Sequence, residues 1–337
     1  MVHYRRQHSE GDAGPMEAAA AGAGGGGRPR KRRRGIAILP AMFTLGNCLC
    51  GFASIHYAAR SQPADVPGLP SNYAIAGYAI FGAMLFDMFD GFVARLTRSA
   101  SDFGAELDSL ADMVSFGVAP AFLSIRLIGD LLKKTNLPAG VPGLDYLPGP
   151  FSDDSWGRLF WLIAAIYVSC TALRLARFNV LNKHDAGSHM NFRGMPSPGA
   201  AAVVASSIIF FETLHSQNHL VWFNISPQVS RILQTVVPYL LPLVLLTAAL
   251  LMVSRFPYSH LINRFLRGRK KFRQIVGFLF LFMLIFWQPQ ITTLVAIYVY
   301  ALSAPVAWLW RIAMRQPRGQ PRASTPVPPP TSSRGPG

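Results

Sequence analysis

The chain has 337 residues, 51% of them hydrophobic and 14% charged, with a mean hydropathy of +0.28. That balance excludes an ordinary water-soluble domain and directs attention to membrane spans. The formal net charge of +16 calls for an acidic partner, and its position beside apolar segments favours an anionic lipid surface over nucleic acid.

Residues 1–35 form a Gly/Ala-rich tail ending in "RPRKRRR". It has no periodic apolar face and is expected to be disordered. Such a basic run can act as a nuclear address or a nucleic-acid arm. Directly ahead of a long apolar segment, it instead orients that segment with its basic end in the cytoplasm.

Eight segments approach the ~20 residues needed to cross a bilayer: 36–59, 73–95, 107–131, 157–180, 197–215, 235–254, 273–287 and 290–310. The first is too long and too internal for a cleaved signal peptide, and it holds Pro40, Thr44 and Asn47. The seventh is short and is separated from the eighth only by "QPQ", which predicts a tight helical hairpin. A basic stretch, 255–272, precedes that pair, and a Pro/Ser/Arg-rich tail, 311–337, follows it. The expected fold is an all-α polytopic membrane protein.

Loop charge sets the orientation. With the N-terminal tail in the cytoplasm, the loops on that side carry Arg95 and Arg98, then Arg174, Arg177, Lys183 and Arg193, then the basic stretch from Arg255 to Arg273. The opposite loops hold chiefly Arg60, Lys133, Lys134 and Arg231. This alternation obeys the positive-inside rule and puts both termini in the cytoplasm.

Cys48, Cys50 and Cys170 all lie in apolar stretches and read as small buried side chains, with no disulfide framework. His215 and His219 lie near the outer surface and read as a solvated pair. No HExxH, P-loop or dinucleotide fingerprint occurs, nor a basic, aromatic-interleaved face for nucleic acid.

The chemistry concentrates in "DMFDGFVARLTRSASDFGAELDSLAD", residues 87–112. Asp87 and Asp90 share one helical face, and Asp108 and Asp112 stack on one face of the next helix. Antiparallel helices would aim four carboxylates at one another near the cytoplasmic surface. An Asp at the bilayer centre costs about 2.5–3.5 kcal/mol on insertion scales, and four together repel. A hard divalent cation, Mg2+ or Mn2+, relieves that repulsion. Gly91, Ala94 and Gly104 leave room beside the acids for a ligand, and Arg95 offers a fork for phosphate oxygens. Together these residues point to displacement at phosphorus. An acid-lined cation transporter is the alternative, but it leaves Arg95 and Ser101 without a role.

At these positions the chain resembles the CDP-alcohol phosphotransferase family, whose signature D-x2-D-G-x2-A-R-x8-G-x3-D-x3-D is matched by Asp87, Asp90, Gly91, Ala94, Arg95, Gly104, Asp108 and Asp112. Flanking text is similar to the phosphatidylserine synthase branch: "FTLGNCLCGFASI", "DSLADMVSFGVAPA", "ALRLARFNV", "FRGMPSPGAAA" and "LMVSRFPY".

The resemblance implies a six-helix catalytic core over 36–254, with 273–310 as two additional helices. It implies two divalent ions per site, held by Asp87, Asp90, Asp108 and Asp112, with Asp112 also the base that deprotonates the acceptor alcohol. Thr44, Gly91, Ala94, Arg95, Ser101 and Gly104 would contact the CDP-lipid. The implied substrates are CDP-diacylglycerol and L-serine; glycerol 3-phosphate, inositol or choline are the sister acceptors. For the serine carboxylate, Arg174, Arg177, Asn179 and Arg193 are available, with Arg177 and Asn179 preferred.

Membrane lipid is the expected surroundings, nucleic acid is not an expected partner, and a homodimer is compatible with the reading. The expected location is a bacterial inner membrane with a cytoplasmic active site; the residues are also compatible with an internal eukaryotic membrane. One departure stands out. Many family members have Pro-Asn-x-x-Thr in the first helix, and this chain has Pro40-Ala41-Met42-Phe43-Thr44, leaving Asn47 as the replacement for the missing Asn.

Overall fold

The computed structural model describes residues 38–60, 70–97, 102–136, 147–184, 194–215, 226–254, 256, 258, 277, 279–280, 283–284 and 287–314. They form α1 (Ile38–Ala59), α2 (Asn72–Thr97), α3 (Asp102–Asp112), a π-helical segment (Met113–Val118), α4 (Ala119–Asn136), α5 (Ser155–His184), α6 (Ser197–His215), α7 (Pro227–Val253) and α8 (Pro289–Ala313). No strand occurs among the described residues.

Local chemistry sets several helix starts. Asp154 Oδ2 accepts from Gly157 N at 2.9 Å ahead of α5. Ser226 Oγ accepts from Val229 N, with Pro227 opening α7. Each satisfies a donor that the first turn leaves open, and a proline there forfeits no helical bond. Pro238 and Pro242 lie inside α7, a placement that membrane helices tolerate better than soluble ones.

Among the described residues, six stretches are long and apolar enough to cross a membrane: Asn72–Val93, Phe103–Lys133, Ser155–Val180, Ser197–Leu214, Gln228–Val253 and Pro289–Trp310. α1 matches the expected first span in position, and at 1.5 Å per residue it is about 33 Å long. The packing is that of a protein in lipid. Large apolar side chains such as Phe52, Leu162 and Leu240 face outward, half or more exposed, whereas Thr44, Asn47, Ser54, Thr171 and Ser206 lie inside among many alanines. In water such a surface would be an aggregation liability; in hydrocarbon, small interior residues let helices approach closely. The chain is an integral, multi-pass membrane protein.

The expected third span, 107–131, is three pieces rather than one regular helix. A π-helical turn directly after Asp112 widens the coil, and its neighbours fill the space. Tyr167 Oη donates to the carbonyl of Phe116 at 3.0 Å, and Ser115 Oγ donates to the carbonyl of Asn47 at 2.9 Å. Gly51 lets α1 reach this turn, since a Cβ there would stand 2.8 Å from Ser115 Cα. Such π segments cluster at functional sites because they reset which side chains face one direction.

α2 packs on α1 and α6, α5 on α7, and α8 on α6. The last pair is antiparallel, with Tyr298 against Ser207 and Tyr300 against Gly199. At the far end of α2 and α4, Tyr73 donates to the carboxylate of Asp130, which gives that acid a partner within the bundle. Aromatic groups lie toward both ends: Trp156 with Phe160 and Tyr239, and Phe256 with Trp308 at 5.4 Å. Such belts suit the two membrane interfaces.

The N-terminal tail, residues 315–337, most of the basic stretch 255–272 and of the expected seventh span, Ser101 and Arg193 fall outside the described residues, as do the side chains of Ala94 and Arg95. α8 runs to Ala313, into the first residues of the expected C-terminal tail 311–337. Cys48, Cys50 and Cys170 are free and half-buried within α1 and α5.

Candidate metal and acceptor site

The C-terminal half of α2 and the start of the next span bring three of their acids together, as the spacing predicts. One carboxylate oxygen each from Asp87, Asp108 and Asp112 lies within 4.8 Å of the others. Three carboxylate oxygens gathered this closely could together hold one divalent cation.

Asp90 is not one of this trio but lies within electrostatic reach of Asp87 and Asp108. It is buried, and Thr44 Oγ1 of α1 donates to its Oδ2. The structure therefore groups three aspartates and holds the fourth through a neighbouring helix. Thr44 touches Asp90 directly, whereas the sequence assigned it to the CDP-lipid.

α1 supplies a second polar contact one turn on. Asn47, fully buried, donates through Nδ2 to Asp112 Oδ1 at 3.0 Å. Its own Oδ1 is buried with no hydrogen-bond partner. A buried amide oxygen left open costs about 1–3 kcal/mol, so this oxygen is available to a further group. Thr44 and Asn47, three residues apart, thus form one face of α1 turned toward the acids.

The positive charge is local as well. Arg174 of α5 is half-buried and within electrostatic reach of Asp87 and Asp112. Its Nη1 donates to Ser197 Oγ at the start of α6. One guanidinium leaves net negative charge on three grouped carboxylates. An all-oxygen donor set with uncompensated charge fits a hard cation.

The other predicted residues sort as follows. Gly91 is exposed and Gly104 half-buried, so both leave room beside the acids. Arg177 is exposed on α5. Asn179 exchanges hydrogen bonds with Ser109, donating to its Oγ at 3.0 Å, and also reaches Glu106. It therefore braces α3 from the side of Ser109. Arg174, which the sequence ranked behind Arg177, is the arginine beside the aspartates. A cation inside a membrane span is itself a functional signal, and that rule could have ranked it first.

Two distant motifs meet at this end of the bundle. Gly194 N donates to the carbonyl of Phe256 at 2.9 Å, and Met195 N to that of Leu251 at 3.0 Å. Gly194 has φ +92°, and a Cβ there would lie 2.9 Å from the Ser254 carbonyl oxygen. Gly194 and Met195 are thereby pinned to the end of α7 and the residues just beyond it, two positions before Ser197, which accepts from Arg174.

Comparison with known proteins points to one family. The family model described as CDP-alcohol phosphatidyltransferase matches residues 37–236. A Helicobacter pylori protein named CDP-diacylglycerol–serine O-phosphatidyltransferase is 30% identical over 178 residues, 53% of this chain and 60% of that protein. Proteins of the same name from Bacillus subtilis and Methanocaldococcus jannaschii are 34% identical over 162 residues and 38% identical over 125 residues. The first match covers 48% of this chain and 70% of that relative, the second 37% and 46%. Against the Helicobacter pylori protein, the matched region spans about three fifths of the relative's length.

Proposed function

Because the chain belongs to the CDP-alcohol phosphatidyltransferase family, we propose that it transfers the phosphatidyl group of CDP-diacylglycerol to the hydroxyl of L-serine, releasing CMP. The observation that carries this reading is the oxygen trio of Asp87, Asp108 and Asp112, backed by Asn47 and Thr44. The names of the relatives support serine as the acceptor.

Asp87, Asp108 and Asp112 would hold Mg2+ or Mn2+, with Asp90 completing a two-ion site. When bound, the metal supplies Lewis-acid neutralisation of the diphosphate. The chain's own residues do the rest. Asp112, oriented by Asn47, takes the proton of the serine hydroxyl. The serine oxygen forms a bond to the lipid-side phosphorus, and the bond from that phosphorus to CMP breaks, its electron pair leaving with CMP. Gly91, Ala94 and Gly104 leave space for the nucleotide, and Arg95 and Ser101 bind the CDP-lipid.

Arg174 receives the serine carboxylate, for which a guanidinium fork is well shaped. Arg177 borders that acceptor side, and Asn179 orders α3 through Ser109. The active site and both termini face the cytoplasm, and the bacterial inner membrane is the proposed location.

The test is purified protein with CDP-diacylglycerol, Mn2+ and a panel of serine, glycerol 3-phosphate, inositol and choline. CMP release with serine alone is expected. Release with a different alcohol would assign a sister acceptor to the same site. No release with any alcohol would contradict the transferase reading and return attention to cation transport.

A further inference from the structure

The family match ends at residue 236, yet a helix beyond it reaches the site. α8 lies along α6, where Ser207 Oγ and Tyr298 Oη are 2.8 Å apart. Nearer the cytoplasmic end, Tyr258 Oη donates to the carbonyl of Ala301 at 2.8 Å, and the Tyr258 and Tyr300 rings stand 5.7 Å apart. Tyr300 is held over the first turn of α6: its Cε1 lies 3.3 Å from where a Cβ on Gly199 would be. Two residues earlier, Ser197 accepts from Arg174. Tyr300 is within electrostatic reach of Arg174, as are Asp112 and Asp87.

The guanidinium is thus flanked by carboxylates and a serine hydroxyl within the family core, and by a phenol from outside it. Arginine has five N–H donors in a rigid plane. Ser197 takes one of them, and the aspartates alone would draw the rest of the group toward themselves. A further acceptor from α8 competes for the remaining donors. Gly199 makes this approach possible, since any side chain there would press on the Tyr300 ring.

We infer that Tyr300 is a positioning residue for the acceptor: placed beside the Arg174–Ser197 pair, its phenol oxygen takes up a guanidinium N–H when the acceptor binds and holds the fork turned toward the carboxylate of the incoming amino-acid alcohol. The inference rests on the serine reading above and makes α8 part of acceptor selection. It predicts that Tyr300 matters for the carboxylate-bearing acceptor and is neutral for the CDP-lipid.

The experiment compares the parent, Tyr300→Phe, Tyr298→Phe and Arg174→Lys in detergent micelles with CDP-diacylglycerol, each with serine and with ethanolamine, which lacks the carboxylate. Loss of one hydrogen bond to a charged group should raise the serine KM of Tyr300→Phe about tenfold. Its kcat and its KM for CDP-diacylglycerol should stay within about twofold of the parent. The preference for serine over ethanolamine should fall by the same factor as the KM rises.

Tyr298→Phe removes a bond on the same helix away from Arg174 and should leave the serine KM unchanged, so general loosening of α8 is read separately. In the Arg174→Lys background, Tyr300→Phe should add little, because both act through one group. An unchanged serine KM in Tyr300→Phe, or equal rises in the KM of serine and of CDP-diacylglycerol, would overturn the inference. If the parent releases CMP with another alcohol and not with serine, the serine reading fails, and the carboxylate role of Tyr300 falls with it.

Discussion

Replacing Asn47 with alanine isolates the contribution of α1 to catalysis. Asn47 is fully buried and donates to Asp112 Oδ1 at 3.0 Å. The backbone at this point is held independently, because Ser115 Oγ bonds the Asn47 carbonyl and not its side chain. Truncation therefore removes the hold on Asp112 while α1 stays docked on the π-helical turn. A hydrogen bond to a charged group contributes about 1.5–3 kcal/mol, which corresponds to a fall of about 10- to 150-fold in kcat if it orients the base in the transition state. The assay is CMP release at saturating CDP-diacylglycerol, serine and Mn2+, with Tm in detergent as the check on folding. A variant that melts like the parent and keeps kcat within about twofold would refute the claim that Asn47 orients the base.

Other residues give independent tests. Thr44→Val removes the donor on Asp90 with little change in shape; a loss of about 1.5–3 kcal/mol in kcat/KM for CDP-diacylglycerol is expected from steady-state kinetics. Gly51→Val drives a side chain against Ser115, whose Cα is 2.8 Å from the first added carbon. Overpacking of this kind costs about 1–3 kcal/mol and should appear as a lower Tm in the same detergent. Asp112→Asn should keep the fold and CDP-lipid binding, measured by retention of labelled CDP-diacylglycerol, while transfer to serine is lost. Chelation by EDTA should abolish CMP release, and added Mg2+ or Mn2+ should restore it.

The sequence carried most of this architecture because spans and acid spacing are local properties. Asp87 with Asp90, and Asp108 with Asp112, share faces by helical geometry alone, so their convergence needed only the two spans to be antiparallel neighbours. The division of labour among the four did not follow. Asp90 is drawn to Thr44 and Asp112 to Asn47 because α1 packs on α2 and on the π-helical turn, and contacts between helices leave no periodic trace. The turn itself was hidden for a related reason: Met113–Val118 is apolar, as are the first residues of the α-helix that follows it, and its composition does not mark a π turn.

Arg174 was visible as a charge within a span, but loop arginines obeying the positive-inside rule masked it. Its neighbours could not be read at all. Ser197 lies 23 positions away and Tyr300 in a helix beyond the family core, and only the docking of α6 and α8 gathers them.

The account depends on a divalent ion held between α2 and the start of the following span. Electron paramagnetic resonance of Mn2+ titrated into the purified protein with CDP-diacylglycerol reads that ion directly, comparing the parent with Asp108→Asn. The predicted result is a bound-Mn2+ signal in the parent that weakens sharply in the variant, together with loss of CMP release. An identical bound signal in both proteins would place the ion elsewhere and contradict the account.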